Sequence, residues 1–245
     1  MIISRTPFRI SFFGGGTDYP AWYREHAGIV LSTTIDKYCY ISCRRLPPFF
    51  EYKHRIVYSR AEQANKIDEI AHPAVREIFR FMNISEGLEI HHDGDLPARS
   101  GLGSSSSFTV GLLHTLYALR GEMITKERLA LEAIHIEQEM IKENVGSQDQ
   151  VSAAFGGFNR ISFHTDGSLN LTPVIIAREK LEELQRHLML FFTGFSRIAS
   201  EIAIEQIKNI PQNKKELIAI SGMVDEAVSI LNSKDDICKL GELLH

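Results

Sequence analysis

The sequence has few cysteines, no surplus of basic residues and no long apolar run, and each absence excludes a class of protein. Its three cysteines, Cys39, Cys43 and Cys238, are odd in number and lack zinc-type spacing, which argues against a disulfide scaffold and a zinc site. The 27 basic and 31 acidic side chains give a net charge of -4, so no nucleic-acid partner is predicted. No apolar run reaches the roughly 20 residues that cross a bilayer, and no signal-peptide layout is present. We therefore predict a cytoplasmic protein with no membrane partner.

Apolar residues recur with a period of two in some segments and at helical spacing in others, so the pattern predicts the α+β class. Two of the strands, residues 29–34 and 37–43, are predicted to form an early hairpin. The predicted strands are residues 8–13, 29–34, 37–43, 55–59, 87–92, 158–163, 169–174 and 188–192. The predicted helices are a short one capped by Thr17, then 73–82, the run from 108 to 119, 125–141, 177–186, 199–210 and 217–231. We place a boundary between a part with the mixed sheet, residues 1–175, and a helix-rich part, residues 176–245.

Residues 97–107 combine two glycines and four consecutive serines directly before an apolar-periodic helix. A small-residue loop that opens into a helix gathers unpaired backbone N–H groups at the positive end of the helix dipole, where a phosphate binds. The loop is not a Walker A sequence, because no lysine follows Gly101 or Gly103, and not a dinucleotide fingerprint, because Ser106 replaces the third glycine. We interpret it as a phosphate-binding loop. The alternative is a plain helix cap, for which one serine would suffice.

A kinase that acts on a hydroxyl needs a metal ion, a base for the hydroxyl and a cation near the transferring group, besides a phosphate loop. Asp149 follows a Gly-Ser segment and is the candidate base, and Arg9 would lower the pKa of that base if the fold brings the two together. A loop serine and a helix carboxylate would supply oxygen ligands for Mg²⁺. Glu137 and Glu139 lie two residues apart on a charged helix face, so at most one faces the metal, and the spacing leaves the choice open. Asp149 and Asp18 have the alternative role of capping their own helices.

Three segments resemble signature motifs of the GHMP kinase superfamily. Residues 97–106 are similar to its second motif, residues 7–20 to its first, and residues 146–150 to the segment that carries the catalytic aspartate of its sugar kinases. The resemblance implies a two-domain GHMP kinase-like fold, in which an N-terminal mixed sheet packs on helices (ribosomal S5 domain 2-like) and an incomplete α-rich C-terminal domain follows. It also implies ATP and Mg²⁺ as cofactors, Asp149 as a catalytic residue and Arg9 close to the reaction centre.

The resemblance assigns further residues to the site. Ser105 and Glu137 match the metal-binding serine and carboxylate of the family. The implied nucleotide-binding residues are Pro97, Arg99, Ser100, Gly101, Leu102, Gly103, Ser104, Ser105 and Ser106. The implied substrate-binding residues are Gly15, Gly16, Thr17, Asp18, Tyr19 and Gly146, with Asp18 as a ligand of sugar hydroxyls. For the phosphate that the substrate itself carries, Arg197 is attractive because it follows a predicted buried strand, while Arg24 and Lys37 stay open choices.

Within the superfamily, residues 13–20 and 146–150 are similar to the D-glycero-D-manno-heptose 7-phosphate kinases, with fucokinase-like enzymes next. This similarity implies transfer of the γ-phosphoryl group of ATP to the anomeric C1 hydroxyl of a sugar phosphate, giving a 1,7-bisphosphate for polysaccharide biosynthesis. Galactokinases carry a Glu-His pair where this chain has Gly15 and Gly16, which would leave room for a longer sugar. The partner we expect is a small-molecule sugar phosphate, and whether the protein is a homo-oligomer is left open.

The third motif of the superfamily has no counterpart in the sequence. This glycine-rich loop near the end of the second domain would lie after Gly194, where only Gly222 and Gly241 remain. We therefore expect a C-terminally truncated member whose turnover on its own is weak or absent. The rival interpretations are a nucleotide-binding relative without catalysis and a kinase for another sugar, such as fucose or an N-acetylhexosamine.

Overall fold

The structure, a computed structural model, describes residues 1–98, 100–191 and 199–245. Its strands are β1 (Ile2–Phe13), β2 (Gly28–Arg45), β3 (His54–Val57), β4 (Ala61–Ala64), β5 (Leu88–Gly94), β6 (Phe158–Phe163) and β7 (Leu169–Pro173). Its helices are α1 (Pro20–His26), α2 (Pro73–Phe81), α3 (Ser104–Arg120), α4 (Lys126–His135), α5 (Gln148–Phe155), α6 (Arg178–His187), α7 (Ala199–Asn209), α8 (Lys214–Asn232) and α9 (Cys238–Leu244). A π-helical turn, Ile136–Met140, directly follows α4. The predicted α+β class is confirmed.

The chain divides into two compact units that interleave along the sequence. The first unit consists of Met1–Phe8, Ile35–Val145 and Asp149–Gly156, and the second consists of Arg9–Thr34, Gly146–Gln148 and Gly157–His245. These units cut the chain differently from the predicted parts, residues 1–175 and 176–245. The predicted boundary between residues 175 and 176 stays a prediction.

In the first unit the strand order is β4-β3-β5-β2. β3 and β4 form an antiparallel hairpin, and β5 runs parallel to β3 after a crossover that includes α2, as a parallel pair requires. The second half of β2 pairs antiparallel with β5, from Cys39 opposite Gly94 to Arg45 opposite Leu88. Buried side chains from these strands and from α2, α3 and α4 form the apolar core, including Ile41, Ile90, Phe79, Leu112 and Leu129.

Helix α3 lies against the N-terminal part of β1. Ser107 Oγ donates a hydrogen bond to the carbonyl of Pro7 over 2.9 Å, and Ser4 Oγ donates to the carbonyl of Gly111 over 3.0 Å. Because most side chains of α3 between Ser106 and Tyr117 are buried, the helix belongs to the core rather than to the surface. Its first turn is therefore held in place, and with it the end of the loop that enters the helix.

In the second unit, the first half of β2 pairs antiparallel with β6, from Gly28 opposite Phe163 to Thr33 opposite Phe158. β6 then turns into β7, and the hairpin predicted there is confirmed, with the Asp166 carboxylate accepting a hydrogen bond from the Ser168 N–H over 2.8 Å. The second apolar core joins these strands to α6, α8 and α9 through side chains such as Phe13, Leu31, Leu184, Val224 and Leu240.

The early hairpin predicted from residues 29–34 and 37–43 is wrong. Both segments belong to one strand of 18 residues, Gly28–Arg45. The first half of this strand pairs with β6 and the second half with β5, so the chain runs straight through Ile35 and Asp36. Asp36 is a common turn residue but Ile35 is not, and the pairing partners lie too far along the sequence to be read from local pattern.

Two other local predictions differ from the structure. Helix α1 begins at Pro20 with Tyr19 as its N-cap, so Thr17 is not the cap. No strand is present at residues 188–191, whose apolar side chains are exposed, while Phe192 lies outside the described residues. An apolar run forms a strand only when a neighbouring strand supplies hydrogen bonds, and the described chain supplies none there.

Among the described helices, none is long and apolar enough to span a membrane.

Candidate active site

The loop of residues 97–103 leads directly into α3. Gly103 is the N-cap of the helix in the left-handed conformation, with φ 75°, which favours glycine. The first backbone bond of the helix runs from the Ser107 N–H to the Gly103 carbonyl, so the N–H groups of residues 104–106 have no partner within the helix. Pro97, Gly101 and Ser105 are exposed, which leaves this end of the helix open to a phosphate. Arg99 lies outside the described residues.

Glu137 is a buried carboxyl group next to the start of α3, with 1% of its surface exposed. Ser106 Oγ donates to Glu137 Oε2 over 2.8 Å, and Gln150 Nε2 donates to the same oxygen over 2.5 Å. The other oxygen, Oε1, is buried and makes no hydrogen bond within the described chain, and the same is true of Gln150 Oε1. Burial raises the pKa of Glu137 to about 7, although hydrogen bonds to its side chain oppose the rise.

The π-helical turn explains why Glu137 points inward. The Ile141 N–H donates to the Ile136 carbonyl, five residues back, instead of four as in an α-helix. The wider turn buries Ile136 and Glu137 together and leaves Glu139 exposed. The structure thus singles out Glu137 from the two carboxylates between which helical spacing could not choose. A π-helical turn has no simple sequence signal, so only the Thr125 cap of the preceding helix was predictable and is confirmed.

These oxygens fit a magnesium ion. Mg²⁺ prefers oxygen ligands and keeps several waters or substrate phosphates in its shell, so few protein ligands are needed. The buried, unpartnered Oε1 atoms of Glu137 and Gln150 are of this kind, and Ser106 Oγ lies beside them. The described residues contain no cluster of three or more His, Cys, Asp or Glu side chains that would suit a transition metal. Ser105, the serine that the resemblance implies, is exposed, whereas Ser106 makes the contact with Glu137. Gln150 was missed by sequence reasoning.

Asp18 and its neighbours form a separate group in the second unit. The Asp18 side chain has 1% of its surface exposed. Its Oδ1 accepts a hydrogen bond from the Gly16 N–H over 3.1 Å, and its Oδ2 accepts one from the Gln148 N–H over 3.2 Å. The Ser147 N–H donates to the Asp18 carbonyl over 3.0 Å. These hydrogen bonds join Asp18 to the segment Gly146–Gln148. From the sequence, the two segments are related only through the substrate site that the family resemblance implies.

Thr17 and Tyr19 flank Asp18 and are held by other contacts. The Thr17 hydroxyl is fully buried, lies 2.8 Å from the Gly14 carbonyl and 2.9 Å from the Ile29 carbonyl, and accepts a bond from the Ile29 N–H over 3.0 Å. Tyr19 Oη donates to Gln206 Oε1 over 2.9 Å. Thr17 thus joins the loop to β2 through its side chain. Its role in binding substrate, like that of Tyr19, stays a prediction.

Asp149 and Arg9 belong to different units. Asp149 is half-buried in the first turn of α5, directly after Gly146–Gln148, and Arg9 lies in β1. The first turn of a helix is a common position for an acidic side chain. A contact between Arg9 and Asp149 stays a prediction. Arg197 lies outside the described residues.

A second ionic cluster surrounds Glu89 on β5. Arg44, Arg55 and His91 all contact its carboxylate, and the side chain is 5% exposed. Although burial alone would raise the pKa of Glu89, hydrogen bonds from these three residues lower it to about 2. Nearby, His92 lies edge-on to Phe108, with ring centroids 5.1 Å apart. His91 thus belongs to the ionic cluster, and His92 packs against an aromatic ring.

Part of the chain is similar to a known protein family. Residues 65–157, which include the loop, α3, Glu137 and Asp149, match the family model described as the GHMP kinases N terminal domain. The D-glycero-alpha-D-manno-heptose 7-phosphate kinase of Campylobacter jejuni is 27% identical over 243 residues, which cover 94% of this chain and 70% of the relative.

Solved structures have the same fold. A D-glycero-D-manno-heptose 1-phosphate kinase from Bacteroides thetaiotaomicron superposes with a TM-score of 0.80 at 24% identity, over 99% of this chain and 76% of the other. The Streptococcus pneumoniae phosphomevalonate kinase in complex with phosphomevalonate and AMPPNP gives a TM-score of 0.76 at 16% identity, over 100% of this chain and 78% of the other. At these identities the likeness establishes the fold, and the reaction has to be argued from the site.

Proposed function

We propose that this chain transfers the γ-phosphoryl group of ATP to a hydroxyl of a sugar phosphate, because residues 65–157 match the model of the GHMP kinases N terminal domain. The observation that carries the proposal is the pairing of Ser106, in the first turn of α3, with the buried Glu137 and its unpartnered oxygen. A helix start attracts phosphate, and a buried carboxylate beside it attracts the cation that accompanies a nucleotide. The two features together suit ATP with Mg²⁺ better than a simple anion.

The proposed mechanism assigns one task to each group. The backbone N–H groups of residues 104–106 bind phosphate oxygens of ATP. Glu137, Gln150 and Ser106 would hold Mg²⁺, which when bound neutralises part of the phosphate charge. Asp149 accepts the proton of the substrate hydroxyl as the hydroxyl oxygen bonds to the γ-phosphorus of ATP. The bond from that phosphorus to the bridging oxygen breaks at the same time, and ADP leaves. Arg9 would stabilise the charge at the transferring group.

For the substrate, we propose D-glycero-D-manno-heptose 7-phosphate, phosphorylated at the C1 hydroxyl. The similarity to the Campylobacter jejuni relative supports this choice, as do Gly15 and Gly16, which carry no side chains. A Cβ added at Gly15 would meet only Ser11 Oγ, at 4.0 Å, so the loop leaves space at that position. The chain spans 70% of that relative, and the activity of the complete relative is transferred here as a proposal only.

The test is a product assay on a panel of sugars and sugar 7-phosphates. The chain is incubated with ATP and Mg²⁺, and the products are identified by mass spectrometry. We expect the 1,7-bisphosphate from the heptose phosphate, and we expect D149N to lower turnover by about 10²-fold or more while ATP affinity is retained. Product from another sugar, with none from the heptose phosphate, would overturn the substrate assignment. ATP binding without turnover on any sugar, by this chain and also by a version extended at its C-terminus, would instead support a nucleotide-binding relative and contradict the kinase proposal.

A further inference from the structure

We propose that Asp18 is a positioning residue, whose carboxylate orders the segment Gly146–Gln148 and thereby fixes the placement of Asp149. The inference rests on the proposed function, because the role of Asp149 as the base is part of it. It differs from the role that the family resemblance implies for Asp18, which is direct contact with sugar hydroxyls. The two roles make different predictions for kinetics.

The hydrogen bonds of Asp18 connect two segments that are more than 100 residues apart. One carboxylate oxygen accepts the Gly16 N–H of its own loop, and the other accepts the Gln148 N–H. The Ser147 N–H donates to the Asp18 carbonyl, so two consecutive amides of the distant segment are bound to one residue. Bonds from N–H groups to a carboxylate are stronger than bonds between neutral groups, and burial strengthens them further. Both peptide planes are therefore held in one orientation.

Gly146 fits against the same carboxylate. A Cβ added at this position would lie 1.9 Å from Asp18 Oδ2 and 2.7 Å from its Cγ. No side chain can occupy that space while the carboxylate stays where it is, so the contact requires glycine at 146. The backbone of this segment and the Asp18 side chain are thus complementary in shape, and we call them the complementary pair.

Asp149 directly follows the residues that Asp18 holds. The orientation of the Gln148 peptide sets the direction in which α5 begins, and Asp149 lies in the first turn of that helix. A general base has to be held within about 0.5 Å of its productive position, and an error of about 1 Å costs roughly 10²-fold in rate. Loss of the Asp18 carboxylate would release the Gln148 amide and let the start of α5 shift.

The first experiment separates positioning from direct sugar binding by steady-state kinetics of D18A and D18N. We expect D18A to lower kcat by about 10²-fold while the KM for the sugar phosphate changes by less than about 3-fold. D18N keeps one acceptor oxygen and should recover part of the lost kcat. Asp166 accepts a backbone N–H in the β6–β7 turn, so D166A is the matched control and should leave kcat unchanged. A large rise in the KM for sugar with kcat unchanged would overturn the proposal in favour of direct sugar contact.

The second experiment tests the complementary pair and does not depend on activity. G146A in the native background should disturb the segment, because its methyl group collides with the carboxylate, whereas D18A/G146A should be no worse than D18A alone. Hydrogen exchange at the Ser147 and Gln148 amides is the readout, and exchange at Gln148 should accelerate at least 10-fold in D18A. Unchanged exchange, or fully additive effects of the two substitutions, would overturn the ordering of this segment by Asp18. Absence of turnover on any sugar, even by a version of the chain extended at its C-terminus, would overturn the proposed function and with it the positioning role of Asp18 in catalysis, while the exchange result would still decide the contact.

Discussion

Glu137 and Asp18 are carboxylates of equal burial, each with 1% of its surface exposed, and they differ in what surrounds their oxygens. Both donors to Glu137, Ser106 and Gln150, reach Oε2, and Oε1 makes no hydrogen bond within the described chain. In Asp18 each oxygen accepts a backbone N–H. A buried oxygen without a donor costs free energy until a ligand reaches it, whereas backbone donors satisfy a carboxylate in the folded chain itself. Equal burial thus accompanies two roles, one suited to a cation and one suited to holding chain segments.

The largest effect is expected from E137Q. This substitution removes the negative charge while it keeps the shape, so the affinity for ATP should fall about 100-fold in the presence of Mg²⁺ and change little in its absence. Isothermal titration calorimetry with and without Mg²⁺ measures both affinities. D18N is the control, because the Asp18 carboxylate that it removes has no part in the proposed metal site. Equal loss of affinity in the two variants would remove the distinction between the two carboxylates.

The stability of the protein should respond in the opposite order. D18A leaves the Gly16 and Gln148 N–H groups without their acceptor, and we expect it to lower the free energy of unfolding by about 2 kcal/mol. E137Q should cost much less, because it replaces a carboxyl group of raised pKa with a neutral amide. Urea denaturation of both variants provides the comparison. If E137Q proved the more destabilising, the carboxylate of Glu137 would be structural rather than ligand-binding.

Glu89 is a third buried carboxylate, satisfied by cations, and it adds a pH dependence. Its pKa is about 2 in the folded chain and 4.5 ordinarily, so its contribution to stability is complete above about pH 4.5 and is lost as the pH falls towards 2. Because Arg44 and Arg55 are 47% and 36% exposed, we expect only about 1.5 kcal/mol. Thermal unfolding between pH 5 and 3 should show a smaller loss of stability in E89Q than in the native chain. The exposed Glu139 supplies the control E139Q, and an identical pH dependence in all three proteins would contradict this assignment.

Substitutions of Ser105 and Ser106 at the start of α3 test which of the two serines binds the metal ion. Ser106 contacts Glu137 and Ser105 is exposed, so S106A should lower the affinity for ATP with Mg²⁺ about 10-fold, and S105A should lower it less. Calorimetric titration of the matched pair provides the measurement. The reverse order would favour Ser105 as the metal ligand, as the family resemblance implies.

The smallest effect is expected in the loop that carries Asp18. G15A should change the free energy of unfolding by less than about 0.5 kcal/mol, because its methyl group would meet only Ser11 Oγ at 4.0 Å. G14A is the matched contrast, since Gly14 has φ 85° and its added Cβ would lie 1.9 Å from the Ile29 carbonyl oxygen. Denaturation midpoints of the two variants compare the positions. A costly G15A would mean that the space at Gly15 is filled in solution.

Local patterns predicted much of this fold. The glycine-serine loop before α3, the Thr125 cap of α4 and the Asp166–Gly167 turn all depend on neighbours in sequence. The cap and the turn have the expected local structure, and the loop leads into a helix as expected, although that helix begins at Ser104 and so includes the four serines. The hairpin at residues 29–43 was wrong because the partners of β2 come from β5 and β6, far along the chain. Long-range pairing is decided by which strands meet in the fold, and local propensity carries little information about it.

The sequence by itself determined that a glycine-serine loop leads into α3 and that Asp18, Glu137 and Asp149 are candidate site carboxylates, because loop composition and motif spacing are local properties. Only the tertiary structure decided that Glu137 rather than Glu139 is buried, that Ser106 and Gln150 share one of its oxygens, and that Asp18 holds the Gly146–Gln148 backbone. The reason is that burial and hydrogen-bond partners follow from a π-helical turn and from contacts across more than 100 residues. Neither feature is encoded in the periodicity of the residues nearby.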